Sequence, residues 1–304
     1  MATICHKFIE IKWEVHLKAM RTWQQETKRK SLLFHNFLLC HSLTTSFFKR
    51  KPDNDTAAME YESAAKAYQY AKQPKQTIMA FLKAAEAHSA ESQFYPAAKH
   101  LEAAAAIEAK DLKHPEKAAE LYVKSCHFYR RNNNGDRATD VLEKAGKVME
   151  TVSADAAVEY YKQACELYEA EDRLRLGLNT IQKVIGLYVS SGKLGDALAF
   201  SKKNNEVLIK ANGKHLTMRG YLSTIIIALA MGDEVEASKL DGQFANQDAG
   251  WMRSDEGQIA ESLLKGFADR DEALVDSTVK KQFVGFLDNE VSVFNLYYFD
   301  LVRL

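Results

Sequence analysis

Small and large apolar residues alternate along one face of a helix through most of the chain. Ala58, Tyr61, Ala65 and Tyr68 are separated by three, four and three residues, which places them on one stripe of an α-helix. Similar stripes begin at residues 58, 78, 98, 119, 138, 157, 177 and 197, in steps of 19 to 21 residues. Each step accommodates a helix of about 14 residues and a short turn. The pattern therefore predicts successive antiparallel helices, with hairpins of about 40 residues as the repeating unit.

The residue types within the stripes suit close helix packing. Alanine lets neighbouring backbones approach, and tyrosine or leucine from the next helix fills the space. Turns are predicted at residues 73–74, 114–117, 132–136, 152–155 and 191–196, where Pro, Gly, Asn and Asp concentrate. Further helices are predicted at about 215–230, 234–246, 254–268 and 271–281. The alternative, a generic bundle with a coincidental alanine bias, does not explain the even step over eight copies.

The predicted fold is all-α, a TPR-like solenoid of helical hairpins. Only 14 Gly and 4 Pro occur in 304 residues, which suits an all-helical chain. Residues 1–45 lack the stripe and are treated as a divergent basic segment, and residues 46–304 as one helical-repeat domain. We see no flexible linker that would divide the repeat region.

Charge is balanced over the whole chain, with 41 acidic and 41 basic residues, but it is unevenly distributed. Residues 1–51 contain ten Lys and Arg against three Glu, whereas residues 231–304 contain fifteen acids against seven bases. Such asymmetry indicates different partners at the two ends, although solvated helix faces often produce similar runs. The apolar run at 222–231 is too short to span a membrane and is read as a buried helix.

Recognisable catalytic, cofactor and metal motifs are absent from the sequence. It contains no GxxxxGK[ST] phosphate loop, GxGxxG, HExxH or GxSxG, and its nine histidines are not paired at metal-ligand spacing. We therefore assign no catalytic, cofactor-binding or metal-binding residue, and His88 is read as packing. Cys126 and Cys165 occupy matching helical positions and are interpreted as buried core thiols, and no cysteine pairing suggests disulfides, which favours a reducing compartment.

Three interpretations follow from these residues alone. A regular helical scaffold without a recognisable site is typical of a binding protein, whose rigid face suits helical partners. A TPR-like scaffold subunit that binds peptides in another complex is the second interpretation, although conventional TPR units repeat every 34 residues rather than about 40. An all-helical enzyme with a site assembled from distant residues is the third.

Several segments resemble the soluble NSF attachment proteins, most closely their gamma type. "FFKRKPDNDTAAMEYESAAKAY" at 47–68 resembles the aromatic and basic turn that precedes the first repeat of that family. "YEAEDRLRLGL" at 168–178 and "FLDNE" at 286–290 resemble two later family elements. The matching positions are Lys51, Pro52, Asp53, Asp55, Ala57, Ala58, Glu60, Tyr61, Ala64 and Ala65, then Glu169, Glu171, Arg173, Leu174 and Arg175. The resemblance covers about residues 47 to 290, whereas residues 1–45 do not look like the family's first helix.

The resemblance implies a non-enzymatic adaptor of vesicular traffic, located in the cytoplasm and peripherally associated with endomembranes. It also implies that the solenoid is right-handed and forms a twisted sheet of antiparallel helices with a C-terminal helical bundle. Members of this family wrap the four-helix SNARE bundle that remains after membrane fusion. They then recruit the AAA ATPase NSF, which pulls the bundle apart. The implied partners are therefore the SNARE complex with its syntaxin-type helices, an NSF-type ATPase and a membrane surface, without nucleic acid and without a cofactor.

Two groups of residues are candidates for contacts with these partners. Phe47, Phe48, Lys49, Arg50 and Lys51 combine aromatic and cationic side chains, as membrane-touching loops do. Alternatively, the two phenylalanines pack on an N-terminal helix. By resemblance and charge, the acidic end of the chain is the candidate for ATPase contact, through Asp288, Glu290, Leu301 and Leu304. Alternatively, the two leucines continue the apolar side of an aromatic last helix.

Overall fold

The computed structural model describes residues 54–173, 175–210 and 214–279, and every regular element in these ranges is helical. The α-helices are α1 (Asn54–Tyr70), α2 (Pro74–Ala90), α3 (Phe94–Ile107), α4 (Pro115–Arg131), α5 (Gly135–Met149), α6 (Ala154–Ala170), α7 (Leu178–Ser190), α8 (Leu194–Lys210), α9 (Lys214–Ala230), α10 (Glu234–Gln247), α11 (Asp255–Ala268) and α12 (Glu272–Val279). A π-helix at Glu108–Leu112 extends α3, and a 3₁₀-helix at Trp251–Arg253 precedes α11. The all-α prediction is confirmed, and the four later helices lie close to their predicted ranges.

The chain forms two compact units, Met1–Val148 and Met149–Leu304. In the first unit, α1, α2, α3 and α4 pack sequentially as antiparallel neighbours. In the second, α6 to α12 also pack in sequence, and α9 additionally contacts α11. The extra contact turns the end of the second unit into a helical bundle, as predicted. The predicted boundary between residues 45 and 46 lies outside the described residues.

The stripe alanines form the closest contacts of both units. Ala58, Ala98, Ala119, Ala138 and Ala157 are all completely buried. The larger members of the stripes are buried or half-buried, as expected for side chains that fill the gaps between helices. A second column of alanines, one residue before the predicted stripe, is buried as fully and was not predicted: Ala57, Ala97 and Ala118. In α1, α3 and α4, two adjacent alanines are therefore buried against neighbouring helices.

Most turns between helices share one geometry. After α1, the Gln73 amide donates to the Tyr68 carbonyl at 3.0 Å and the Lys72 amide donates to the Gln69 carbonyl at 3.0 Å. This is the Schellman arrangement, which requires a left-handed residue just after the helix. Left-handed residues occupy this place in eight turns, namely Lys72, Ser92, Lys113, Asn133, Asp172 and Arg270, together with Gly192 and Gly232.

The π-helix accounts for the longest step in the repeat. The step from 98 to 119 is 21 residues, one more than the two steps before it. In the other turns of this type, the closing amide bonds to the carbonyl five residues earlier, but His114 donates to the Glu108 carbonyl six residues earlier, at 3.0 Å. The wider π-turn thus absorbs the additional residue at the end of α3, and α4 begins without a change in its buried face.

The bundle at the end of the second unit has an aromatic core around α9. In the predicted apolar run at 222–231, residues 222–230 are all buried in α9, which confirms their interpretation as a buried helix, whereas Met231 is exposed just after the helix ends. Tyr221 stacks on Phe244 with ring centroids 3.9 Å apart, and Trp251 meets both rings edge-on. The Trp251 indole donates to Asp241 at 2.8 Å, so its polar atom is satisfied. No helix in the described part of the chain combines the length and the apolar character needed to cross a bilayer.

Candidate functional site

The partner-contact residues proposed from sequence lie outside the described part of the chain. This holds for the membrane candidates Phe47, Phe48, Lys49, Arg50 and Lys51. It also holds for the ATPase candidates Asp288, Glu290, Leu301 and Leu304. Among the concave surfaces of the described part, the two that expose the most apolar surface lie one in each unit.

The first surface, called groove I, lies between α2 and α4 and has a volume of about 640 Å³. Leu101 of α3 forms its floor, and Leu82, Leu121 and Phe128 provide further apolar surface. Phe128 is held by stacking on Phe94, with ring centroids 6.0 Å apart. The groove is therefore a largely apolar trough between two parallel helices, and a third helix closes it from below.

A polar network fixes the helices that carry groove I. Ser125 of α4 donates to the buried Ala98 carbonyl of α3 at 2.8 Å. Tyr129 donates to Glu102 at 2.8 Å, and Lys144 of α5 donates to the same carboxylate at 2.6 Å. Burial alone raises the pKa of Glu102, but these two bonds outweigh it and lower the pKa. The charged carboxylate thus ties α3, α4 and α5 together at neutral pH.

The second surface, called groove II, lies between α6 and α8 and has a volume of about 410 Å³. Ile181 and Tyr188 of α7 form its floor, and Phe200 of α8 lies next to Tyr188 with ring centroids 6.4 Å apart. In the turn just before α8, the Lys193 ammonium group forms an ion pair with the Asp155 carboxylate at 2.6 Å. This ion pair fixes α8 against the start of α6. Groove II is more polar than groove I, because five charged residues line it.

The two grooves are built from equivalent positions about 80 residues apart. Leu82, Ala85, Glu86 and Ser89 of α2 correspond to Lys162, Cys165, Glu166 and Glu169 of α6. Leu101 of α3 corresponds to Ile181 of α7, and Leu121, Lys124 and Phe128 of α4 correspond to Phe200, Lys203 and Val207 of α8. Both grooves are therefore copies of one surface, formed over two successive hairpins.

The rims of the copies differ in charge. Glu86 and Lys124 face groove I, and their equivalents Glu166 and Lys203 have the same charges. Elsewhere the charge differs: the exposed Lys117 of α4 corresponds to Asp196, His127 to Glu206, Ser89 to Glu169 and Leu82 to Lys162. Groove II therefore has additional carboxylates and one additional lysine on its rim, whereas the exposed Arg131 beside groove I corresponds to the equally charged Lys210.

Residues 40–283 match the family model for the soluble NSF attachment protein, SNAP. The chain belongs to the soluble NSF attachment protein family. It is of the gamma type: it is 32% identical over 248 residues to the gamma-soluble NSF attachment protein of Dictyostelium discoideum, covering 82% of this chain and 76% of that protein. It is 27% identical over 231 residues to the protein of the same name from Arabidopsis thaliana, covering 76% and 79% of the two chains.

Two solved structures are similar to this chain at lower identity. BtubC from P. vanneervenii is 17% identical, with a TM-score of 0.38, over 62% of this chain and 76% of that chain. The apo form of RapI is 16% identical, with a TM-score of 0.35, over 90% and 97% of the two chains. The family assignment does not depend on these structures. Both grooves lie inside the segment that matches the family model.

Of the two cysteines and one histidine discussed in the sequence analysis, two are packed as predicted and one is not. Cys126 is buried as predicted, and burial raises the pKa of its thiol to about 11. The prediction that Cys165 is a buried core thiol is wrong: it is half-buried, because its helical position faces groove II. His88 packs as predicted, stacking on His100 with ring centroids 5.3 Å apart. In the described residues, no group of three or more acidic, histidine or cysteine side chains could hold a metal.

Sequence reasoning missed the groove residues themselves. The small and large stripe marks positions between neighbouring helices, whereas Leu82, Leu121 and Phe128 lie beside it and are only half-buried. A comparison of the sequence with itself would have aligned Leu82 with Lys162 at a separation of 80 residues, and Leu121 and Phe128 with Phe200 and Val207 at a separation of 79. These separations correspond to four helices, so they could have been obtained from the observed step.

Proposed function

We propose that the chain is a non-enzymatic adaptor that binds post-fusion SNARE bundles and recruits NSF for their disassembly. The observation that carries the proposal is the family match over residues 40–283, together with the gamma-type names of the two relatives. On this proposal the protein acts in vesicular traffic, in the cytoplasm and peripherally on endomembranes. It needs no cofactor, because the ATPase partner supplies the energy for disassembly.

Groove I is the surface we propose for the SNARE helices. An α-helix can lie in an apolar trough between two helices, with its anchoring residues directed at the floor. The cations on α4, Lys117, Lys124 and Arg131, recur every seven residues and are all exposed, so they form a stripe beside the trough. Such a stripe favours encounter with acidic helices and makes binding salt-dependent.

The test is a pull-down with an assembled SNARE bundle and NSF, scored for ATP-dependent release. We expect retention of the bundle without ATP hydrolysis and its release when ATP is hydrolysed. In the groove, Lys124→Glu should weaken retention several-fold by reversing a rim charge. The matched control is Lys99→Glu on α3, because Lys99 is also exposed but lines neither groove. No retention by the wild type would reject the function, and equal losses in both variants would reject groove I as the surface.

Membrane contact is proposed for the aromatic and basic segment of Phe47, Phe48, Lys49, Arg50 and Lys51. Aromatic side chains enter the interfacial region of a bilayer, and cations meet anionic headgroups. Replacement of both phenylalanines, Phe47→Ser with Phe48→Ser, should weaken liposome binding and slow disassembly of membrane-anchored bundles while leaving soluble bundles unaffected. Equal slowing of the two substrates would contradict a membrane role.

ATPase contact is proposed for the acidic end of the chain, including Asp288, Glu290, Leu301 and Leu304. Acidic residues there would steer the encounter with NSF, and a leucine could fill a small apolar pocket. Deletion of residues 299–304 should preserve SNARE binding and reduce stimulation of the ATPase. Both activities are measured on the same preparation, along with its melting temperature. Unchanged stimulation would place the contact elsewhere, and loss of both activities with a lower melting temperature would indicate a structural role.

A further inference from the structure

Groove II has the architecture of groove I and a rim with more carboxylates. Glu166 and Glu169 lie on its α6 wall and Asp196 on its α8 wall. In the described part of the chain, none of these three carboxylates has a cation within 4.0 Å. Of the two lysines that line the groove, Lys162 already bonds to Glu159 at 3.2 Å. Three carboxylates against two lysines give the lining a net negative charge, which favours a positively charged occupant.

The floor between these walls is apolar and long enough for part of a helix. Ile181, Tyr188, Phe200 and Val207 contribute apolar surface, and the lining residues of α8 run from Asp196 to Val207. Eleven helical steps correspond to about 16 Å, which matches roughly three turns of a bound helix. Such a helix would direct two or three apolar side chains, spaced by three or four residues, onto this floor.

We propose that groove II binds an amphipathic helix of a partner protein whose apolar stripe is flanked by lysine or arginine. The apolar residues contact Phe200 and Tyr188, and the flanking cations reach Glu166 and Glu169 on one side and Asp196 on the other. An acidic helix, the kind that suits groove I, would meet like charges here. The proposal concerns a second partner and uses neither SNARE proteins nor NSF, so its failure would leave the proposed adaptor function intact.

The experiment uses two labelled, stapled helical peptides of about 18 residues, which is five turns. Both have leucines on one stripe, and one has lysines and the other glutamates at all flanking positions. Binding to the full chain is measured by fluorescence anisotropy at low and high salt. We expect the lysine peptide to bind at least tenfold more tightly than the glutamate peptide at low salt, and the difference to shrink at high salt.

Variants locate the binding surface. Glu166→Lys combined with Glu169→Lys should weaken the lysine peptide about tenfold, and Asp196→Lys should also weaken it, through the opposite wall. The control is Glu261→Lys, the same charge change at an exposed residue of α11 in the same unit. Melting temperatures verify folding. If the double variant does not fold, Asp196→Lys and the salt dependence of the wild type decide the question.

Several outcomes would overturn the proposal. Equal binding of the two peptides, or preference for the glutamate peptide, would remove the charge argument. An equal loss in Glu261→Lys would show a non-specific effect of net charge. Tighter binding of the lysine peptide to Lys124→Glu, without a loss in Asp196→Lys, would place the peptide in groove I. Binding of the lysine peptide only after removal of residues 280–304 would make the occupant a segment of this chain rather than a partner.

Discussion

The buried His100 should make the folded state sensitive to acid well above the range in which carboxylates titrate. His100 is 7% exposed and stacks between Phe81 and His88, with centroid distances of 5.7 and 5.3 Å. Burial lowers its pKa from 6.5 to about 4, although the nearby Glu62 acts in the opposite direction. The fold therefore holds this ring neutral, and the unfolded chain accepts a proton more readily.

The sign and size of the effect follow from proton linkage. Between pH 6.5 and about 4, the unfolded chain binds more protons at this position, so the free energy of unfolding falls as the pH falls. Above pH 6.5 neither state is protonated and the contribution vanishes. From the two pKa values, lowering the pH from 7 to 4.5 should cost on the order of 2 kcal/mol. Below about pH 4 the loss is complete and does not grow further.

The assay is urea unfolding followed by circular dichroism at several pH values between 4.5 and 7. We expect His100→Phe, which keeps an aromatic ring in the stack, to lose on the order of 2 kcal/mol less than the wild type over this range. His127→Gln is the control, because His127 is exposed on α4, and it should follow the wild-type dependence. Identical pH dependence of the wild type and His100→Phe would refute the reasoning.

Three further predictions concern the scaffold and are tested by the same unfolding measurements. Ala119→Leu or Ala157→Leu should each cost about 1–3 kcal/mol by overpacking completely buried positions, whereas the exposed Ala273→Leu should be nearly neutral. No loss in either buried variant would mean that these faces are not packed. Gly192→Ala should destabilise by about 1 kcal/mol, because its φ of 71° is strained for alanine, whereas Gly195→Ala in α8 should be neutral or slightly stabilising. The reverse order would contradict the turn geometry. Tyr129→Phe should lower the free energy of unfolding by about 1 kcal/mol, because it removes a hydrogen bond to Glu102. The same substitution should cost less when it is made in the Lys144→Met variant, if the three side chains form one network.

The sequence predicted the elements of the fold well because the same short-range pattern recurs in nearly every helix. Alternation of small and large residues depends only on neighbouring helices, so it can be read without knowing the topology. The turns were harder to predict in detail. Six of the eight left-handed positions in the described residues hold residues other than glycine, such as Lys72 and Ser92. These residue types do not indicate a left-handed conformation from sequence.

The grooves were less predictable, since each groove lies between two helices that are separated in sequence by a third helix. Their apolar residues, such as Leu121 and Phe200, are half-buried and look like ordinary members of an amphipathic helix. The difference in charge between the two grooves is recognised only when their equivalent positions are compared. The contacts proposed from resemblance, at Phe47 and Leu304 for example, remain predictions, because they fall outside the described residues.

The π-turn at the end of α3 bears on how chains of this kind can change in length. A residue gained or lost inside a helix rotates everything downstream by about 100°, which would turn the buried alanines of that helix toward solvent. A residue gained at Glu108–Leu112 is accommodated locally, and the phase of α4 is preserved. Deleting Ala109 should accordingly convert the π-turn into the common five-residue closure. Helix ends of this kind are therefore the places where indels can accumulate in a repeat protein without erasing its periodicity.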